Sequence, residues 1–127
     1  MDLVEAKKLI PEVQGMYDKG YLLEDLAVVD VAEGFLVVYH FLDWETSERM
    51  TIRVVVPHEE PRLPSITSIY QGAEWSEREG MEMYGVVFEG NPNPAPLLLD
   101  ESMIGLYPLR KKEEDRKPLE TFFPEKD

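Results

Sequence analysis

Apolar and polar residues alternate along the chain in three distinct periods. Leu3, Ala6, Ile10, Val13 and Tyr17 follow helical spacing and predict an N-terminal amphipathic helix to about residue 18. Asp2 followed by Glu5 reads as its capping box, Pro11 is expected to kink or split it, and Gly15 and Gly20 to weaken and end it. Residues 21–31 then suit a strand through Leu22, Leu26, Val28, Val29 and Val31. Residues 35–42 are apolar on both alternating faces, the pattern of a central strand covered on both sides. Met50, Ile52, Val54 and Val56 alternate with Thr51, Arg53 and Val55, which marks a half-exposed strand over 50–56. Short connections between these three predict an antiparallel meander.

The pattern loses its period at residues 58–64, where two prolines predict an irregular loop. Ser65 can cap a short helix over 66–71, and Gly72 ends it. A second short helix is expected over 74–84, with Gly85 as its stop and residues 86–88 as a short strand. Residues 89–96 read as a loop, Leu97-Leu98-Leu99 as a brief apolar run, and Asp100-Glu101-Ser102 as a candidate helical turn. Residues 105–109 look extended, a mixed-charge run follows over 110–117, and Leu119, Phe122 and Phe123 are the apolar points of the end. The expected class is α+β: an N-terminal helix, a three-stranded mainly antiparallel sheet, two short helices packed on one face, a short further strand and an extended tail. One domain is expected over 1–111, with 112–127 as a charged tail docked on a partner.

Composition narrows the function classes. The 127 residues suit a single domain, and 43% hydrophobic with 31% charged residues is a globular balance. With 26 acidic against 13 basic residues, the net charge of −13 repels a phosphate backbone and an anionic membrane surface. The absence of cysteine removes disulfides, thiolate metal sites and a thiol nucleophile from the chain. No run of about 18 apolar residues is present to span a membrane. The opening MDLVEAKKLI lacks the apolar run of a secretory signal.

The densest chemistry lies in AEWSEREGMEMYG, from Ala73 to Gly85. Four carboxylates, Glu74, Glu77, Glu79 and Glu82, fall within nine residues, and paired carboxylates can perform acid–base work or hold a metal. Helical spacing places Trp75, Arg78, Glu79 and Glu82 on one face. Glu74–Arg78 and Arg78–Glu82 are i,i+4 pairs, so Arg78 sits between acids, which favours an ion-pair network over a catalytic dyad. His40 and His58 each lack a second ligand at metal-binding spacing. No phosphate-cradling Gly-rich loop and no nucleophile elbow appears.

Trp75, Glu77-Arg78-Glu79, Gly80-Met81, Glu82, Met83-Tyr84, Gly85, Val86 and Phe88 form one ordered pattern. Pro64-Ser65-Ile66 stands before it, and Leu97-Leu98-Leu99-Asp100, Gly105 and Pro108-Leu109-Arg110-Lys111 stand after it. This combination resembles the signature of the 30 kDa (C) subunit family of respiratory complex I. That family includes the smaller counterpart subunits of energy-converting membrane-bound nickel–iron hydrogenases. The resemblance runs from about Val4 to Lys111. Glu82 replaces the more usual Asp, Gly80 a larger apolar residue, and Asn91-Pro92 the usual His-Pro.

The resemblance implies a noncatalytic subunit of a peripheral arm, on the inner face of the cell membrane. No catalytic residue, cofactor or metal is expected in this chain; nickel–iron, iron–sulfur clusters or quinone are expected in its partners. Those partners are a large catalytic hydrogenase-like or dehydrogenase-like subunit and a small iron–sulfur subunit, with nucleic acid excluded and a homodimer possible in isolation. The short chain tilts the expectation toward the hydrogenase type. Trp75, Glu77, Arg78, Glu79, Glu82, Tyr84, Gly85, Arg110, Lys111 and Phe123 are the expected structural and interface residues. Two other readings stay open: a small carboxylate enzyme using Glu77, Glu79 or Glu82, and a free adaptor domain carrying its tail on its own surface.

Overall fold

The computed structural model describes residues 3–93, 101–103 and 105–122. Its centre is the antiparallel meander: β1 Leu22–Val31, β2 Gly34–Asp43 and β3 Glu48–Val56, in the order β1-β2-β3. The two-residue turn Ala32-Glu33 closes on the Val31–Gly34 pair, and a bulge between Leu23 and Asp25 interrupts the β1–β2 register. Phe35, Val37, Tyr39 and Phe41 of β2 all point to one face and are fully buried. There they meet Ile52, Val54 and Val56 of β3 and Leu9 and Val13 of the first helix, in the main core. Burying a side chain of this size is worth about 1.5–3 kcal/mol, so these residues dominate the fold's stability.

The first helix differs from the expectation at its start. A single 3-10 turn, Ala6–Lys8, leads into α1, Leu9–Asp18. Pro11 therefore falls in the first turn of α1, where its missing N–H has no intrahelical partner to lose, and it does not split the helix. Glu5 makes no side-chain cap, and Asp2 lies outside the described residues. Leu3 instead forms a parallel bridge with Arg53, and the Val4 N–H donates to the Arg53 carbonyl at 2.9 Å. Gly15 stays within α1.

Two further corrections fall in the middle of the chain. Residues 58–64 do not remain a loop throughout: Arg62–Pro64 forms β4, paired in parallel with β5, Val87–Glu89. The prolines permit this because the ladder needs only a carbonyl from Pro61, which accepts from Val87 N–H at 2.8 Å, while Ser65 N–H donates to Glu89 O. Residues 66–71 form a turn, not a helix; Ile69 and Tyr70 N–H both donate to Ile66 O. The second expected helix is present as α2, Ala73–Tyr84, and connects β4 to β5.

The outer face of the sheet carries a smaller core of Val31, Leu36 and Leu119, packed with Val29, Val38, Val55 and Phe122. Residues from the C-terminal segment thus cover the hairpin end of the sheet's second face. Two-sided burial of β2 is confined to that end, since His40 farther along is half-exposed. Leu97-Leu98-Leu99-Asp100 and Phe123 lie outside the described residues.

Candidate functional site

Helix α2 packs Ala73, Glu77 and Gly80 inward, and all three are buried. Gly80 is a matter of space: a Cβ there would lie 3.0 Å from Val28 Cγ2 and 3.2 Å from Phe88 Cε2. The close approach of α2 to β1 therefore accounts for glycine where a larger apolar residue was the expected type.

Glu77 is the centre of the site, and it is fully buried. One carboxylate oxygen accepts from Ser65 Oγ at 2.7 Å and from Asn91 Nδ2 at 2.9 Å. The other accepts from the Ile66 N–H at 2.8 Å. Ser65 Oγ also accepts from Thr67 N–H at 3.1 Å, which fixes the turn. A single side chain thus ties α2 to the chain before and after it. Burial pushes the Glu77 carboxyl above its ordinary range, against the opposing pull of the three hydrogen bonds. Burial also raises the Tyr39 hydroxyl well above its usual value, with the Glu77 charge adding to the effect.

The shared face expected for Trp75, Arg78, Glu79 and Glu82 is split in its exposure. Trp75 is 57% exposed and Glu79 is exposed, whereas Glu82 is buried. The Arg78 guanidinium lies 3.8 Å from Glu74 and 5.9 Å from the Trp75 ring centroid. The i,i+4 pair predicted for Glu74 is present, and the aromatic contact holds the cation beside it.

The C-terminal end of α2 is closed by residues distant in sequence. Gly85 adopts φ +81, the left-handed conformation of a helix stop, and its N–H donates to Met81 O at 2.9 Å. Arg110 Nε donates to Tyr84 O at 2.7 Å, placing a cation on the helix's negative end. Its guanidinium also lies 5.2 Å from the Phe35 centroid and 4.7 Å from that of Tyr107. The Tyr84 ring meets Phe35 edge-on at 5.8 Å. Burial raises the Tyr84 hydroxyl pKa, with the Asp30 charge adding to it. A Cβ on Gly85 would lie 2.8 Å from Arg110 and 2.9 Å from Tyr107. Gly85→Ala is therefore expected to cost about 1–3 kcal/mol from left-handed strain and the clash together, read as a lowered midpoint in thermal unfolding.

Asp30 is a second hub, and reading the sequence missed it. It is buried, with Oδ1 2.8 Å from His58 Nε2 and 2.9 Å from Arg116 Nε, while Oδ2 accepts the Lys111 backbone N–H at 2.7 Å. Burial alone would raise its pKa. The Lys111 N–H, His58 and Arg116 outweigh burial and hold the carboxyl below its ordinary value. Lys111 contributes through its backbone, and its side chain is exposed. Beside this hub, Ala32 N–H donates to Lys117 O and Leu119 N–H to Glu33 Oε1, both at 2.8 Å. The one sequence signal was an aspartate inside the apolar run LAVVDV. Its partners lie too far along the chain for spacing to reveal them.

Among the described residues, no group of three or more His, Asp or Glu side chains could hold a metal, and no helix is long and apolar enough to cross a membrane. The fold and its two hubs define an α+β domain in which buried carboxylates join distant segments and exposed Trp75 and Glu79 stand on the helix that carries Glu77.

The chain belongs to the family described as respiratory-chain NADH dehydrogenase, 30 Kd subunit, whose sequence pattern matches residues 3–118. It is 47% identical over 77 residues, 61% of its length, to the NADH-quinone oxidoreductase C subunit of Sinorhizobium medicae. It is 43% identical over 88 residues, 68% of its length, to the protein of the same name in Chloroherpeton thalassium. The matches span only 37% and 36% of those two proteins. Among solved structures, the trypsin-resistant fragment (1-134) of Nqo5 matches with TM-score 0.65 and 31% identity, over 72% of this chain and 79% of that one. A chain of the membrane-bound sulfane sulfur reductase, an archaeal respiratory membrane complex, matches with TM-score 0.78 and 29% identity, over 93% of this chain and 71% of that one.

Proposed function

We propose that this chain is a structural subunit of the peripheral arm of a membrane-bound energy-converting redox complex, of hydrogenase or NADH/quinone dehydrogenase type. It packs against the large catalytic subunit, beside a small iron–sulfur subunit, on the inner face of the membrane. It supports electron transfer and coupled ion translocation by holding those subunits in place. Nickel–iron, iron–sulfur or quinone chemistry belongs to the partners. The observation that carries this reading is the family match over residues 3–118. Similarity over 93% of the chain to part of an archaeal respiratory membrane complex supports it.

The site geometry supports the same reading over a carboxylate enzyme. Burial raises the pKa of Glu77, yet its side chain is fully buried with both oxygens engaged. A general acid must reach the proton it transfers, and Glu77 faces its own turn. Trp75 and Glu79 remain outward, as residues that meet a neighbouring subunit would be.

A free adaptor domain is the reading favoured by residues 116–122, since Arg116, Lys117 and Leu119 fasten to β1 and the turn after it. One experiment separates the two. The chain, tagged in its native cell and isolated after gentle solubilisation, is expected to arrive with a hydrogenase-like or dehydrogenase-like large subunit identified by mass spectrometry. Recovery of the chain alone would overturn the subunit reading and leave the adaptor. Trp75→Ala is expected to shift folding stability by no more than about 0.5 kcal/mol. It is expected to weaken retention in the complex by about 2 kcal/mol, read from co-purification yield against salt.

A further inference from the structure

We propose that the free edge of β1 and the groove beside it receive an extended, basic segment of the partner subunit, which continues the sheet as an added strand. The inference rests on the subunit reading and specifies its contact.

Strand β1 is at the edge of the sheet and is ten residues long. In an antiparallel ladder, every second residue of an edge strand turns its N–H and C=O away from its neighbour, leaving a template for another chain. Among the described residues, only one backbone segment meets that edge: Lys117, which bridges Val31 in parallel at its far end. The bridge shows that this edge accepts a strand. The edge then continues from Asp30 back to Leu22 with no backbone partner on that side among the described residues. The opposite edge of the sheet is met by Leu3 at Arg53.

Two adjoining cavities, of about 270 and 460 Å³, run along this edge, between β1 on one side and α2 with the turn before it on the other, and Leu109 closes the end of the first. Ser76 lines both. Leu26 and Val28 give the groove an apolar floor, and Met83 an apolar wall. An added strand sends alternate side chains toward such a floor while its backbone pairs with the edge.

Charge selects the occupant. Glu24 and Glu79 line the groove, and the whole chain carries a net charge of −13. A second copy would bring the same carboxylates against their equivalents, which like charges oppose. A partner strand with lysine or arginine beside its apolar residues meets both the floor and the rim. The bulge near Asp25 and the pairs Glu24–Arg49 and Asp25–His40 blunt the Leu22 end, so the open register centres on Leu26 and Val28.

The test compares amide hydrogen exchange in the isolated chain with that in the complex recovered from cells. Peptides covering 22–30 are expected to exchange at least roughly tenfold more slowly in the complex, the protection a new backbone ladder confers. Glu79→Lys, and independently Ser76→Arg, are expected to lower recovery of the complex at least roughly tenfold while leaving the circular dichroism and thermal midpoint of the isolated chain unchanged. Recovery of the large subunit with unchanged exchange over 22–30 would overturn the strand proposal and leave the subunit reading standing. An isolated chain that is dimeric by light scattering and already protected over 22–30 would overturn it in favour of a second copy. Wild-type chain recovered with no partner would overturn both readings.

Discussion

Glu77→Ala is expected to remove about 3–5 kcal/mol of folding stability, the largest loss from any single substitution in α2. The side chain is fully buried and accepts hydrogen bonds from Ser65, Ile66 N–H and Asn91. Alanine would leave the Ile66 N–H and the Asn91 amide without this acceptor and turn the Ser65 hydroxyl back on Thr67 Oγ1, at about 1–3 kcal/mol for each donor left unpaired before the structure relaxes. A small domain has only about 5–15 kcal/mol in total, so the variant would sit near its unfolding threshold. Urea denaturation of the isolated chain measures the loss directly. Glu77→Gln, which keeps one carbonyl acceptor and the volume, is expected to recover part of it.

The pH dependence of this contact is inverted relative to an ordinary salt-bridged carboxylate. Burial raises the folded pKa of Glu77 above its ordinary value of 4.5, so the folded chain holds this proton more tightly than the unfolded one. Its contribution is fully present below the unfolded pKa and is lost as pH rises through the raised folded value. Asp30 behaves in the opposite sense. Its folded pKa lies below 3.8, so its contribution is present above that value and is lost as pH falls through the lowered folded one.

Asp30→Ala is expected to cost a comparable 3–5 kcal/mol, roughly the penalty for breaking a buried charge pair from one side. It leaves Arg116, His58 and the Lys111 N–H without their shared acceptor. The damage should concentrate in the C-terminal segment, which Asp30 holds at Lys111 and Arg116. Limited trypsin digestion reads this: cleavage after Lys111, Lys112 and Arg116 should accelerate well before the sheet is cut. In acid, stability lost below the ordinary aspartate range should be missing from Asp30→Asn, since that variant has no proton to gain.

The meander and α2 were legible in sequence because their signals are local. Alternation over Met50 to Val56 and the stop at Gly85 each depend on neighbours within a few residues, and both stand in the structure. Residues 62–64 were misread because proline density counts against a strand, while β4 needs only carbonyls at its proline positions and finds its partner in β5. The turn over 66–71 was misread because its shape is dictated by Glu77, which captures Ser65 and the Ile66 N–H from twelve and eleven residues away. At the site, the Glu74–Arg78 pair followed from helical spacing. Burial of Glu77 did not, because a glutamate goes inside only when donors from other segments converge on it. Asp30 escaped for the same reason.

The separation between each hub and its partners also orders events during synthesis. Glu77 reaches no farther than Asn91, 14 residues on, whereas Asp30 waits for Lys111, 81 residues on, and Glu33 for Leu119, 86 residues on. On the ribosome the meander can pair as soon as Val56 has emerged, and the Glu77 clasp soon after Asn91. Through that interval Asp30 has His58 alone within reach, 28 residues on, because Lys111 and Arg116 are still to come. The nascent domain therefore closes in two stages, with the hairpin end of the sheet the last part to be sealed.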